Sequence, residues 1–225
     1  MVTDHRRAFA WAIALLGATV FVFAAVGRHL PAAAPRTTLP FLGEWDLAIS
    51  HAMDDIRSAP LTVVARGLNL LGGGLVTIPL RFVVAIWLLV RTRWRAFAAW
   101  ILTWAVAEVA LVDAKHFFHR GRPPGALVDV VGFSFPSGHA VAGAAIAVAL
   151  VVVLLSPGPE RRRWEVVAAA FAFVMAFSRV YLLAHWFSDV VAGVLLGTGI
   201  ALGCAALVTE IRDIALSRRE VVRDG

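Results

Sequence analysis

Charged residues are scarce in this 225-residue sequence: they make up 16% of it, against about 25% in an ordinary soluble domain. Hydrophobic residues make up 60%, and the mean hydropathy is +0.80. This balance excludes a soluble globular protein. Cysteine is almost absent, since Cys204 is the only one, which excludes an intramolecular disulfide and a cysteine-based metal site. The sequence also lacks an internal repeat and a low-complexity linker.

The apolar residues form runs long enough to cross a bilayer, whose hydrocarbon core of about 30 Å needs about 20 residues of helix. Strands are excluded because an open sheet edge would leave backbone groups unpaired in lipid. We therefore predict an all-α fold, in which residues 1–225 form one integral membrane domain with six transmembrane helices. The predicted spans are residues 8–26, 68–90, 96–112, 138–155, 166–184 and 190–208.

The first of these runs also has features of an export signal, because it has a basic start and is followed by the small residues Ala32 to Ala34. Its apolar part spans residues 8–26, which is longer than the ~7–15 residues of a signal core. We predict that it is a retained helix.

Residues 44–57, between the first two predicted helices, carry apolar side chains at a helical period. The apolar members are Trp45, Ala48, Ile49, Ala52, Met53 and Ile56, and the acidic residues on other faces are Glu44, Asp46, Asp54 and Asp55. The pattern predicts an amphipathic helix in the membrane interface, which either packs on the bundle or guides a lipid substrate.

Basic residues lie in short clusters between the apolar runs and build no continuous stripe, which argues against nucleic-acid binding. The clusters are at residues 6–7, 91–95, 161–163 and 212–223. All of them fall on one side of the six-helix plan, so the termini are predicted to be cytoplasmic, in a plasma (inner) membrane. Residues 27–67, 113–137 and the turn near 185–189 are then predicted on the outer, periplasmic face.

Three groups of polar residues lie at helix ends on this predicted outer face. They are Lys115 with Arg122-Pro123, then Pro136-Ser137-Gly138-His139, and then Ser178-Arg179 with His185 and Asp189. Charged groups are costly in a membrane, at about 2.5–3.5 kcal/mol for a charge at the centre of a helix, so such groups are candidates for function. Lys115 is also the only lysine among 21 basic residues.

The spacing of these groups has a chemical meaning. His185 and Asp189 are four residues apart, so on a helical turn the carboxylate can accept a hydrogen bond from one imidazole nitrogen. The other nitrogen is then left as nucleophile or base. Ser137 and Gly138 begin a predicted helix, whose free N–H groups bind anions. The fixed cations that can surround a tetrahedral oxyanion are Lys115, Arg122 and Arg179. The bound group implied is phosphate.

These motifs resemble those of the type-2 phosphatidic acid phosphatase family, which is related to bacterial non-specific acid phosphatases and vanadium haloperoxidases. The matching residues are Lys115-x6-Arg122-Pro123, Pro136-Ser137-Gly138-His139 and Ser178-Arg179-x5-His185-x3-Asp189. No defining position departs from the family pattern. The spacings and the six-helix plan extend the resemblance from about residue 40 to residue 210.

The resemblance implies a lipid phosphatase in which His185 attacks phosphorus to form a phosphohistidine and Asp189 orients it. His139 would protonate the leaving oxygen and then activate the water that releases phosphate. The phosphoryl oxygens would be held by Lys115, Arg122, Ser137, Gly138 and Arg179. No metal and no other cofactor is implied.

The expected substrate is a lipid phosphate monoester or diphosphate within the membrane lipids. The candidates are polyprenyl diphosphate, which is slightly favoured, phosphatidate and phosphatidylglycerophosphate.

The alternative functions are a phosphotransferase that uses the same intermediate and a non-catalytic anion transporter or lipid-binding protein. A transporter does not require a histidine four residues before an aspartate, or a second histidine at a helix N-terminus. Six spans argue against a haloperoxidase, and the oligomeric state stays open.

Four further polar residues are assigned structural or supporting roles. Arg81 and Glu108 are both near mid-depth in the predicted second and third helices, and we expect them to pair for a structural reason. His116 and His119 occupy free positions of the first motif and are expected to be interfacial or to support the site.

Overall fold

The computed structural model describes residues 2–26 and 39–224, and within these residues the chain forms eight α-helices and no strand. The helices are α1 (Val2–Val26), α2 (Pro40–Asp55), α3 (Ala59–Gly72), α4 (Gly74–Val90), α5 (Trp94–Phe118), α6 (Gly138–Leu154), α7 (Pro159–Tyr181) and α8 (Phe187–Asp224). The predicted all-α class is confirmed. The first predicted helix lies within α1, whereas Ala32 to Ala34 lie outside the described residues.

Four of these helices, α1, α5, α7 and α8, are long and apolar enough to cross a membrane. The bent pair of α3 and α4 passes the same test when it is taken as one span. The remaining apolar helix, α6, has 17 residues and is shorter. The chain is therefore a multi-pass membrane protein.

The predicted second helix, residues 68–90, is interrupted. Gly73 has an extended conformation with φ −76° and ψ 163°, and the two helices on either side of it are bent by 44°. The interruption falls in the glycine run 72–74, where each residue costs about 1 kcal/mol relative to alanine in a helix. Apolar content alone could not reveal this break, because the hydropathy of the run is continuous across it.

The third predicted helix, residues 96–112, is longer in the structure, where α5 continues to Phe118. Lys115 therefore lies in the last turns of a helix instead of following it. Polar residues ended the predicted apolar run, but they do not end the helix.

Close packing between α6 and α8 fixes the centre of the bundle. A methyl group at Gly197 would lie 2.4 Å from the carbonyl oxygen of Val141, and one at Gly193 would lie 2.9 Å from that of Ser137. Glycine at these two positions lets the backbones approach, as small residues do in other membrane helix pairs. The start of α6 is thereby held against the first turns of α8.

The amphipathic helix α2 presents a different face to the bundle from the predicted one. On the side toward the bundle Asp46 is buried and Leu42, Ile49 and Met53 are half-buried, so Ile49 and Met53 are the predicted apolar members that face inward. Trp45, in contrast, is 55% exposed. The prediction that Asp46 lies on a polar face is thus wrong. The physical reason is that the bundle supplies an arginine and a serine that bind this carboxylate, as described below.

The expected pairing of Arg81 with Glu108 is confirmed: Arg81 is buried and its guanidinium forms an ion pair with the Glu108 carboxylate. The same guanidinium lies over the ring of Trp104, 5.3 Å from its centroid. The indole of Trp100 donates to the Arg81 carbonyl oxygen at 3.0 Å. These contacts join α4 to α5 away from the three motifs.

Candidate active site

The three motifs meet at one end of the bundle. The N–H of Ser137 donates to the Asp189 carbonyl oxygen at 3.0 Å, which ties the start of α6 to the start of α8. The N–H of Ser134 donates to the Arg120 carbonyl oxygen at 2.8 Å, which holds the loop between α5 and α6. The site residues predicted from sequence are contributed by the ends of α5 to α8 and their connecting loops, and they are Lys115, Arg122, Ser137, Gly138, His139, Arg179, His185 and Asp189.

His185 is buried, and the partners of its two ring nitrogens define its tautomer. Nδ1 lies 2.7 Å from the carbonyl oxygen of Ser134, which can only accept a hydrogen bond. Nε2 lies 3.2 Å from a guanidinium nitrogen of Arg122, which can only donate. The proton is therefore on Nδ1, and Nε2 carries the lone pair. Burial lowers the pKa of His185 to about 4, so the ring is neutral at pH 7 and can act as a nucleophile.

Asp189 is fully buried and lies 3.5 Å from Nδ1 of His185 through Oδ2. The same oxygen accepts the N–H of Trp186 at 2.9 Å. Because His185 precedes α8, it does not share a regular helical turn with Asp189, and Ser134 supplies the nearer acceptor. The sequence pattern could not reveal that contact, since a backbone carbonyl has no residue signature.

Arg120, which sequence reasoning missed, links two buried carboxylates. Its guanidinium donates to Asp189 Oδ1 at 2.5 Å and to Asp46 Oδ2 at 2.7 Å. Ser188 donates to Asp46 through its N–H at 2.8 Å and through its hydroxyl at 2.6 Å. Burial opposes the charge of Arg120, but the two carboxylates outweigh it and raise its pKa above the ordinary value. Two signals for this link are present in the sequence. Arg120 lies between Lys115 and Arg122 in the first motif, and Asp46 lies within the amphipathic segment 44–57.

Neutral oxygens hold the three predicted phosphate-binding cations. The ammonium of Lys115 donates to the Phe133 carbonyl oxygen at 2.6 Å, and the guanidinium of Arg179 donates to the side-chain oxygen of Asn69. The carbonyl oxygens that accept from Arg122, at 2.7–3.2 Å, belong to Val131, Gly132, Phe133 and Ala184. Within residues 2–26 and 39–224, none of the three cations forms a salt bridge with a carboxylate.

Among the described residues of this region, three buried polar atoms have no hydrogen-bond partner: Nε of Arg120, the hydroxyl oxygen of Ser137 and Nε of Arg179. Ser137 stands at the N-cap of α6, but its side chain makes no capping bond. An unsatisfied buried donor costs about 1–3 kcal/mol, so such atoms call for an explanation. A ligand with several acceptor oxygens would satisfy the two that belong to predicted phosphate-binding residues, Ser137 and Arg179.

His139 is the second residue of α6, and its Nε2 lies 3.0 Å from the carbonyl oxygen of Asn69 at the end of α3. Asn69 was not expected at the site. Of the two histidines within the first motif, His116 contacts the Val112 carbonyl oxygen within its own helix at 2.8 Å. His119 ends α5 in a left-handed conformation and packs against Phe133.

Comparisons with known proteins identify relatives of the chain. A family model described as the PAP2 superfamily matches residues 114–213, which include all three motifs. Phosphatidylglycerophosphatase B of Bacillus subtilis (strain 168) is 30% identical over 158 residues, which are 68% of this chain and 77% of that protein.

Two solved structures have a similar fold. The crystal structure described as the first transmembrane PAP2 type phosphatidylglycerolphosphate phosphatase from Bacillus subtilis matches with a TM-score of 0.73 and 26% identity. The match covers 90% of this chain and 96% of that one. The crystal structure of Aquifex aeolicus LpxE matches with a TM-score of 0.58 and 24% identity, over 73% of this chain and 94% of that one. At that identity, the second match shows the fold alone.

Proposed function

The chain belongs to the PAP2 superfamily, and on that premise we propose that it hydrolyses a phosphate monoester or diphosphate of a membrane lipid through a phosphohistidine intermediate. The family resemblance carried by the three motifs thus agrees with the relatives from Bacillus subtilis, which match 68% and 90% of the chain. The site residues proposed here are the eight named from the sequence, together with the contacts that hold them.

The chemistry follows from the two histidines. Nε2 of His185 attacks phosphorus, the bond from phosphorus to the lipid oxygen breaks, and His139 protonates that oxygen. Water then attacks the phosphohistidine while His139 accepts its proton, so the P–N bond breaks and inorganic phosphate forms. Asp189 stabilises the imidazolium character of His185 during both steps.

The observation that carries this proposal is the combination of a neutral nucleophile with unsatisfied donors. Nε2 of His185 has its lone pair beside Arg122, and the orphan donors of Ser137 and Arg179 lie in the same region. Fixed donors of this kind stabilise the charge that develops on a phosphoryl group without reorganising. Lys115 and the N-terminus of α6 add two further donors for the same oxygens.

We also propose a catalysis that needs no metal ion. The described part of the chain contains no cluster of three or more His, Cys, Asp or Glu residues that could hold one. Activity is expected to persist in chelator and to be inhibited by vanadate, which mimics the pentavalent phosphorus. A loss of activity in chelator that added magnesium restores would refute this part of the proposal.

The topology proposed for the single domain has six crossings, with α3 and α4 forming one bent span and α6 forming another. A 17-residue helix spans about 25 Å, close to the lower limit for a transmembrane helix. Both termini are then cytoplasmic in the plasma (inner) membrane, α2 lies at the interface, and the site opens on the outer face. The arginine clusters between the spans support this orientation.

Phosphatidylglycerophosphate is the lipid to test first, because both Bacillus subtilis relatives are named for its hydrolysis. Polyprenyl diphosphate, which the sequence slightly favoured, and phosphatidate are the other candidates. Phosphate release by the purified protein in detergent would rank the three lipids.

The two histidines are expected to separate in rapid-mixing experiments with labelled substrate and acid quench. His185→Ala removes the nucleophile, so no phosphoenzyme forms with any substrate. His139→Ala loses about 10²–10⁴-fold with a lipid phosphate, whose leaving oxygen needs a proton. With an activated aryl phosphate, the same variant is expected to form phosphohistidine and accumulate it. Phosphohistidine in His185→Ala and none in His139→Ala would mean that the two roles are exchanged.

Transfer to an acceptor other than water would appear as phosphorylated acceptor instead of phosphate.

A further inference from the structure

The break between α3 and α4 releases a backbone carbonyl toward the proposed site. In a continuous helix the N–H of Gly73 would bond to the carbonyl oxygen of Asn69, four residues earlier. Here it bonds to Leu70 at 3.2 Å, because Gly73 leaves the helical conformation. The carbonyl of Asn69 is thereby available to a group outside its own helix.

That group is the imidazole of His139, whose Nε2 lies 3.0 Å from the Asn69 carbonyl oxygen. A carbonyl only accepts hydrogen bonds, so Nε2 must carry a proton. The ring is also confined from the side, since a methyl group at Gly72 would lie 2.7 Å from its Cδ2 atom. No hydrogen bond of Nδ1 occurs within the described residues, and this nitrogen is the one left for proton transfer.

The side chain of the same asparagine reaches the other flank of the site. Its Oδ1 accepts a hydrogen bond from the guanidinium of Arg179, whose Nε is buried and has no partner in the described part of the chain. Asn69 is the only asparagine in the chain, which has no glutamine at all. One residue thus orders a proposed phosphate-binding cation through its side chain and a proposed acid through its backbone.

We infer that Asn69, presented by the break at Gly73, is a positioning residue that keeps the Nε2 proton of His139 in place so that Nδ1 is the atom that gives and takes the catalytic proton. The imidazolium, favoured by the bound phosphate, donates the Nδ1 proton to the leaving oxygen and becomes the neutral ring protonated on Nε2. Nδ1 then accepts a proton from the attacking water, which restores the imidazolium. This inference rests on the proposed function, and Asn69 lies outside both the three motifs and the matched residues 114–213.

The first test needs no substrate and can therefore fail independently of the phosphatase activity. Long-range ¹H–¹⁵N spectra of ¹⁵N-histidine-labelled protein report which ring nitrogen carries the proton, and His139→Gln identifies the signals of His139. Neutral His139 is expected with the proton on Nε2. A proton on Nδ1, or a mixture of both tautomers, would overturn the inference.

The second test uses two alanine variants of α3. Gly72→Ala places a methyl group 2.7 Å from both Cδ2 of His139 and Sδ of Met175, so the His139 ring has to shift relative to the carbonyl. A methyl group at Gly67 has no atom within 4 Å, so Gly67→Ala is the matched control. Turnover of the lipid phosphate by Gly72→Ala is expected to fall at least about tenfold, while first-step chemistry with an activated aryl phosphate stays within about threefold. Equal losses with both substrates, or no loss with either, would contradict a role through His139.

The third test isolates the side chain, because Asn69→Ala keeps the backbone carbonyl and removes only the contact with Arg179. Rates with lipid and aryl phosphates are expected to fall by the same factor, and the inhibition constant for vanadate to rise about tenfold. Leu70→Ala, at an exposed neighbouring position, is the control for helix stability. An unchanged vanadate affinity would show that Asn69 does not set Arg179. Inactivity of the wild-type protein toward every lipid and aryl phosphate would instead refute the proposed function and leave the tautomer result standing.

Discussion

His139 and His185 each have one ring nitrogen bonded to a backbone carbonyl, and the two rings use different nitrogens for this bond. His185 bonds through Nδ1 to Ser134, and His139 bonds through Nε2 to Asn69. A carbonyl is a neutral acceptor that cannot be protonated near neutral pH, so the tautomer it selects does not change with pH in that range. In the proposed mechanism this difference suits the two rings to different tasks, His185 as nucleophile through Nε2 and His139 as acid and base through Nδ1.

His185 is expected to stay neutral well below the pH at which an ordinary histidine becomes charged. Burial lowers its pKa from 6.5 to about 4, so at pH 5.5 the folded protein holds it unprotonated on Nε2. The unfolded chain binds a proton in this range, so this residue makes the free energy of unfolding decrease as the pH falls from about 6.5 to about 4. The ¹⁵N shifts of His185, titrated between pH 4 and 8, check the first expectation, and a midpoint near 6.5 would contradict it.

The residues of the candidate site could be predicted from the sequence where a motif specifies them. They could not be predicted where a contact depends on how distant segments pack together. His139, His185 and the fixed cations were predicted from the three motifs, and the structure brings them to one end of the bundle. Asp46 and Asn69 are separated from their partners Arg120 and Arg179 by 74 and 110 positions, and no periodicity links them. The carbonyl of Ser134 belongs to the backbone, which every residue has.

At the scale of helices, an ion pair between Asp46 and Arg120 connects α2 to the proposed site. Asp46 enters the bundle between Arg120 and Ser188, so the amphipathic helix is attached to the same guanidinium that binds Asp189. Burial raises the pKa of Asp46, whereas the positive charge of Arg120 and the two donors of Ser188 favour its ionised form. Three donors on one carboxylate fit an ion, and a protonated acid would leave one of them unpaired.

Asp46→Asn is expected to destabilise the protein far more than Asp55→Asn, a matched change at an exposed position of α2. Removing one partner of a buried ion pair costs about 3–5 kcal/mol, whereas exposed substitutions usually stay within about 0.5 kcal/mol. Thermal unfolding of both variants in the same detergent measures the difference. Equal midpoints for the two variants would mean that the carboxyl of Asp46 is not ionised.

The all-α class and the multi-pass character were predictable because a bilayer dictates the length of an apolar helix, but the division of the described residues into eight helices was not. The break at residues 72–74 lies inside a continuous apolar run, and the glycines there bring a backbone carbonyl to His139. The face of α2 was also misjudged, because Asp46 looks like a surface residue until its partners in the bundle are known.

For the whole molecule, the orientation in the membrane decides which compartment the site faces. Pro124 is exposed in the loop between α5 and α6, and Gly158 precedes α7 at a position where a side chain would meet no atom within 4 Å. The two positions are on opposite sides of the proposed six-span topology. Cys204 is the only thiol and is buried, so a Cys204→Ala background is free of other reactive groups.

Single cysteines at these two positions are expected to react oppositely with a membrane-impermeant thiol reagent on intact cells. Pro124→Cys is expected to be labelled, and Gly158→Cys only after the cells are opened. The reverse pattern would invert the topology and turn the site toward the cytoplasm.

The neutral oxygens that hold Lys115, Arg122 and Arg179 have a consequence for turnover. Within residues 2–26 and 39–224, no carboxylate has to be displaced from these cations when a phosphate arrives, and none returns to expel it when the reaction is complete. Orthophosphate released by the second step has the same oxygens as the group that was just hydrolysed, so it competes with fresh substrate for the same donors. The enzyme is therefore expected to show product inhibition, and its flux depends on how fast the aqueous compartment beside it clears orthophosphate.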